Sequence, residues 1–222
     1  MALLNPIQVV GTNAWFKPIK FALSIGIYVW TLGFFSRYLV DQVDLTYFNW
    51  TLIISLGFEI IYIAFQAARG QASHFNVSTP IYSFLYTMMA LGASLATLAG
   101  AWMGYQFFTR DFPEMNSAFL WSVRLSIVIF VVFAFQGFAM GSRMTHTIGA
   151  KDGGPGVYFL NWSKVAGDLR IAHFLGMHSI QIIPLITYLW IRDMRMVFLA
   201  STIHFILTMG IFIRALGGKP LY

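Results

Sequence analysis

Residues 169–191 read LRIAHFLGMHSIQIIPLITYLWI. The run is long and apolar enough to cross a bilayer, yet it carries an arginine, two histidines and a glutamine. A hydrocarbon core of about 30 Å takes roughly 20 apolar residues of helix, so one continuous crossing is the expected reading. It is then the fifth of six such runs, at about 18–38, 47–68, 80–108, 117–141, 169–191 and 194–216.

Composition agrees with a membrane chain. Of the 222 residues 58% are hydrophobic and 10% charged, whereas a soluble domain carries about 25% charge. The expected fold class is all-α: a polytopic six-helix membrane bundle, one membrane domain over 1–222, with little chain left for a soluble domain. Residues 1–14 lack a basic segment followed by an apolar one and a small-residue cleavage site, so the first helix is expected to anchor the chain itself. There is no cysteine, which excludes disulfides, thiolate metal ligands and thiol nucleophiles.

The net charge of +6 does not point to nucleic acid, because the basic residues flank apolar runs and form no exposed stripe. Lys17, Lys20, Arg69, Arg143, Lys151, Lys164, Arg170, Arg214 and Lys219 fall on one side, against Arg37, Arg110, Arg192 and Arg195 on the other. The positive-inside rule then puts both termini and the second and fourth loops in the cytoplasm, with a bacterial inner membrane as the expected location. Arg124, inside helix four, is expected to snorkel to the interface. The tryptophans read as membrane belts and packing.

The fourth loop, 142–168, is unlike the other connections. It exceeds the 2–8 residues usual between helices, and loops of this length are commonly functional. Asp152, Gly153, Gly154, Pro155 and Gly156 form a turn cluster, and Val157, Tyr158, Phe159, Leu160 and Trp162 supply apolar bulk. A lid folded back on the membrane face is expected. A phosphate loop is not, since no GxxxxGK[ST] is present. In helix three Gly92, Ala96 and Gly100 have the spacing of a close helix contact. No repeat of 20–50 residues is visible.

Depth along the helices sorts the polar residues into two groups. At about 1.5 Å per residue, Glu59, Gln136, His178 and His204 each lie eight to ten positions from a cytoplasmic helix end, near the midplane. His74, His146 and His173 lie at the cytoplasmic boundary with Arg69, Arg143, Asp168 and Arg170. His173 and His178, five apart on one helix, differ by roughly 140° and belong to different sites. An ionised carboxylate at mid-bilayer costs at least about 2.5 kcal/mol, so Glu59 is expected to be protonated, paired or beside water.

Three chemistries use this arrangement. The first is redox: b-type haem ligated by His178 and His204 with propionates on Arg69, Arg143 and Arg170, or zinc, copper or iron on His74, His146 and His173. Met140, Met144 and Met177 would favour copper if they pointed inward, although methionine is more often packing. The second is a zinc-dependent hydrolase acting on lipid, with Asp168 or Glu59 as base; it lacks HExxH and HxxxH spacing. The third is a proton or ion pathway through Glu59, His178 and His204. Expected partners are the lipid bilayer and a quinone, lipid or redox protein; nucleic acid is not expected, and a homo-oligomer is compatible with the composition. A serine nucleophile is disfavoured, because Ser73 and Ser163 lack a GxSxG elbow.

Overall fold

The structure is a computed structural model and describes residues 7–221. Among the described residues the long elements are helices: α1 (Phe16–Ser36), α2 (Thr46–Ala68), α3 (Pro80–Thr109), α4 (Ser117–Phe135) with a one-turn continuation α5 (Phe138–Gly141), α6 (Leu169–Met177), α7 (Ser179–Leu189) and α8 (Met194–Leu216). Two short antiparallel pairs accompany them, β1 (Gln8–Val9) with β2 (Thr12–Asn13), and β3 (Thr147–Ile148) with β4 (Gly167–Asp168).

The helix starts are written in side chains that accept from the exposed first-turn amides. Thr79 accepts from Tyr82 N with Pro80 opening α3, Asn116 accepts from Ala118 N, and Asp193 accepts from Arg195 N. At the other end, α2 stops at Gly70, whose φ is +67°.

Helices α1, α2, α3, α4 with α5, and α8 are each long and apolar enough to cross a membrane, and α6 with α7 passes the same test as a pair bent by 47°. Their outward faces carry Leu23, Trp30, Ile54, Ile61, Phe84, Leu98, Leu185, Ile206 and Ile213, all exposed. Such a girdle of apolar side chains suits lipid, and the chain is a multi-pass membrane protein.

Packing centres on α4, which touches α3, α6, α7 and α8, while α1 lies against α2 and α7. The main core joins Leu32, Phe35, Leu52, Met103, Phe107, Ile127, Phe130 and Ile180. The small-residue stripe of α3 is in this contact: a Cβ at Gly100 would lie 2.8 Å from the Tyr28 hydroxyl and 2.9 Å from Phe130. Gly176 is tighter still, since a Cβ there would fall 2.1 Å from Cγ of Phe133 on α4. The Arg124 Nε donates to the Phe107 carbonyl at 2.7 Å, with its guanidinium over Phe108 and Trp121 where α3 ends and α4 begins.

The stretch 169–191 is therefore two helices meeting at His178, not one straight span. At the break the Leu175 carbonyl has no bond from Ser179 N, and His204 Nε2 on α8 donates to it at 3.2 Å. A second break, at Gln136–Gly137 between α4 and α5, is built the same way. There Gly137 N turns to the Ala134 carbonyl, and His173 Nδ1 takes the released Phe133 carbonyl at 2.7 Å. A buried carbonyl without a partner is costly, so each histidine stabilises an interruption that hydropathy does not reveal.

Candidate functional site at the lid end of the bundle

The loop 142–168 folds as a lid because two aspartates organise it. Asp152 accepts from Thr145 Oγ1 at 2.8 Å, Thr147 N at 3.1 Å and His146 N at 3.4 Å. Asp168, 2% exposed, accepts from Ser163 N at 2.8 Å, Arg170 N at 3.0 Å, and Arg170 Nε and Nη2 at 2.9 and 2.6 Å. The same Arg170 Nη2 also donates to the Asn161 carbonyl. Asp168 is held below the usual carboxylate range: burial pushes up, but the Arg170 hydrogen bonds and charge, the Ser163 amide and His146 outweigh it. Asp168 and Arg170 thus clamp the lid to the start of α6. They are placed to position the loop, with both Asp168 oxygens and the Arg170 Nε and Nη2 engaged in it.

Chain ends meet the lid. Gly11 in the β1–β2 turn lies against the Gly153 carbonyl, Gly149 against Gly218, and Gly167 against Ala215 at the end of α8. A cleft of about 480 Å³ opens between the hairpin and the lid, lined by Asn13, Phe16, Gly153, Tyr158, Phe159 and Asn161.

The boundary histidines lie in one electrostatic neighbourhood beneath this lid. His74 feels the charges of Lys17, His146 and His173, and His146 feels those of Arg170, Asp152, Asp168 and Lys17. Rings of Phe21, Phe75 and Tyr86 surround His74 at centroid distances of 5.6, 6.3 and 6.3 Å. Burial, reinforced by Lys17 and the two other histidines, holds His74 well below the ordinary histidine value. Burial and then Arg170 bring His146 down to about 4, against the opposing carboxylates. Both imidazoles are neutral near pH 7.

Hydrogen bonding fixes which nitrogen is free. His173 Nδ1 faces a carbonyl, which only accepts, so Nδ1 carries the proton and Nε2 a lone pair. His146 Nδ1 lies 3.0 Å from the Thr147 hydroxyl and 3.1 Å from Asp152 Oδ1, and the carboxylate, which only accepts, favours a proton on Nδ1. His74 Nδ1 pairs with Ser73 Oγ at 3.3 Å. No described residue hydrogen-bonds the Nε2 of any of the three. Among the described residues, however, no group of three His, Cys, Asp or Glu is arranged to hold a metal ion.

Glu59 is 8% exposed and has no hydrogen-bond or ion-pair partner within 4.0 Å among the described residues. The charge that acts on it is Lys17, in the first turn of α1. Glu59 is thereby linked to the boundary group, about two helical turns from Gln66, which is fully buried with Oε1 unpartnered. Both amide atoms of Gln136 are likewise buried without a partner. Lys17 had served the sequence reading only as a topology charge, yet it connects Glu59, His74 and His146.

The midplane histidines separate. His178 Nε2 faces Ser24 Oγ on α1 at 3.4 Å and its Nδ1 faces Gln181 Oε1 at 3.1 Å. His204 Nε2 is spent on Leu175. The two rings are committed to different helices, not to a shared ligand. The arginines offered for propionates are equally dispersed: Arg69 lies over Phe65 and Tyr82, and Arg143 donates to the Ala139 carbonyl at 2.9 Å.

Along α1, Lys17, Ser24 and Thr31 recur every seven residues and so share one helix face. Thr31 meets Gln181 Nε2 at 3.1 Å, which places His178 and Gln181 on the same polar stripe as Lys17. The seven-residue spacing was the available signal for it.

Comparison with family models, with curated proteins and with solved structures finds no match to this chain.

Proposed function

We propose that the chain is a six-span protein of a bacterial inner membrane, with both termini cytoplasmic, that carries protons or a proton-coupled ion between a vestibule under the lid and the middle of the bundle. The orientation is supported by the nine-to-four bias of basic residues across the helix ends. The even number of crossings is supported by the lid, which touches both the hairpin before α1 and the end of α8. A start of α1 and an end of α8 that share one loop support an even count, with the bent α6–α7 pair as a single crossing.

The single observation that carries the transport reading is Glu59: a carboxyl buried inside a membrane bundle, without a hydrogen-bond partner among the described residues, facing the field of Lys17. A carboxyl kept in such a place at several kcal/mol of cost marks an ion or proton route more often than a packing position. The Lys17–Ser24–Thr31 stripe and His178 extend polar groups from it into the bundle. The test is proton flux into proteoliposomes under an imposed gradient, with Glu59→Gln expected to abolish it and wild-type flux no faster than empty liposomes overturning it.

A second reading rests on the three unbonded Nε2 atoms. Imidazoles that donate through Nδ1 to a carbonyl or carboxylate are in the form that metal-bound histidines adopt. Closure of His74, His146 and His173 on zinc, copper or iron would give a metal centre with redox or hydrolytic use, and stoichiometric metal lost in His146→Ala would support it.

A further inference from the structure

Hydrogen-bond polarity along one chain of groups defines the state of His178. The Ile27 carbonyl can only accept, so Thr31 Oγ1, 2.7 Å away, donates its proton to it. The Thr31 oxygen is left as an acceptor, and the group facing it at 3.1 Å is the Gln181 amide, which turns its NH₂ toward Thr31. That orientation points Gln181 Oε1 at His178 Nδ1, 3.1 Å away. An amide oxygen can only accept, so Nδ1 carries the proton, and neutral His178 keeps its lone pair on Nε2, opposite Ser24 Oγ.

We propose that Gln181 and Thr31 are positioning residues that lock His178 as the Nδ1–H tautomer, making Nε2, facing Ser24 on the Lys17 side of α1, its one proton-accepting atom. The assignment deepens the proton-pathway reading by making His178 a proton-accepting stop beside Ser24: the proton enters and leaves by Nε2, because the Gln181 amide oxygen facing Nδ1 cannot take a proton onward. A proton reaching the Ser24 hydroxyl passes to Nε2 as the N–H bond forms and the Ser24 O–H bond breaks, and the incoming proton restores that hydroxyl. The Nδ1 side is unaffected, because imidazolium Nδ1–H still donates to Gln181. The hydroxyl of Ser24 only turns, from donor to acceptor. The titratable neighbour that acts electrostatically with His178 is His173, whose own proton is pinned by Phe133.

The experiment is ¹⁵N NMR of histidine-labelled protein in lipid nanodiscs near neutral pH, with His178→Asn used to assign its signals among the 5 histidines. Wild type is expected to show a protonated Nδ1 and an unprotonated Nε2 at His178. Gln181→Leu removes the acceptor and is expected to shift the proton toward Nε2, the form isolated imidazole favours. Gln181→Glu keeps an acceptor and is expected to retain Nδ1–H. An Nε2–H tautomer in wild type overturns the proposal, as does an unchanged Nδ1–H signal in Gln181→Leu. Should Gln181→Leu fail to fold, the wild-type tautomer together with Thr31→Val, expected to give a mixture of both forms, decides it. None of these signals depends on transport, so a chain with the expected tautomer and no proton flux refutes the pathway while leaving the assignment in place.

Discussion

His173 Nδ1 on α6 donates to the backbone carbonyl of Phe133 on α4 at 2.7 Å, the carbonyl released where α4 gives way to α5. Removing the imidazole leaves that carbonyl buried and unpaired, at a cost of about 1–3 kcal/mol. His173→Ala is therefore expected to lower the unfolding free energy in detergent by that amount, seen as a lower midpoint. His173→Asn, which keeps a donor, is expected to lose less. Equal midpoints for wild type and alanine variant would show that the bond carries no weight.

Gly176 presses its backbone on the same Phe133. A methyl group there would sit 2.1 Å from Cγ and 2.2 Å from Cβ of Phe133, and rotation of the side chain does not move Cβ. Overpacking of this kind costs about 1–3 kcal/mol, so Gly176→Ala should destabilise the bundle, and the double variant with Phe133→Ala, which removes Cγ and the ring, should lose less than the two single variants added together. Full stability of Gly176→Ala alone would mean that α4 and α6 are not in this contact.

Much of the bundle could be read from residue order, and the reasons are physical. Apolar length fixes α1, α2, α3 and α8 to within a few residues, and Thr79–Pro80, Asn116 and Asp193 announce helix starts. The length of 142–168 and its Asp152–Gly156 cluster set this loop apart from the other connections. The breaks at His178 and Gly137 were not legible, because they depend on carbonyls captured by histidines from other helices, 29 and 40 residues away in sequence. For the same reason histidines that looked like ligand candidates turn out to have one nitrogen employed in the fold. Lys17 escaped notice because a lysine at a helix end reads as a topology signal until the partner helix, here α2 with Glu59, is placed beside it.

The Asp168–Arg170 pair closes the lid, with Asp168 2% exposed and the Arg170 side chain 24% exposed. Removing one partner of a largely buried pair typically costs about 3–5 kcal/mol, reduced here toward the lower end by the exposure of Arg170. Asp168→Asn is expected to open residues 142–168 to limited proteolysis in nanodiscs while the membrane helices stay intact. Unchanged protection would remove the clamp from the lid.

Acidification should loosen the same loop before it affects the bundle. His146 is held at about 4 in the closed lid, against an ordinary 6.5, so the opened lid binds a proton that the closed lid refuses. Stability from this group is complete above about pH 6.5, falls as pH drops toward 4, and changes no further below. His74, lowered in the same direction, adds to the effect. Asp168, held below the carboxylate range, contributes a further loss only at lower pH. Hydrogen-exchange protection factors of 142–168, corrected for the intrinsic pH dependence of amide exchange, are expected to fall as pH drops from 7 to 5 in wild type and to fall less in His146→Asn. Protection factors that do not change with pH would contradict the buried, neutral state of His146.

The most direct test of a proton route through Glu59 is flux in proteoliposomes of oriented protein, comparing wild type, Glu59→Gln and Lys17→Met. Flux above empty liposomes in wild type, abolished by Glu59→Gln and altered in rate by Lys17→Met, is the expected result. Equal flux in wild type and Glu59→Gln, with both proteins folded, would contradict it.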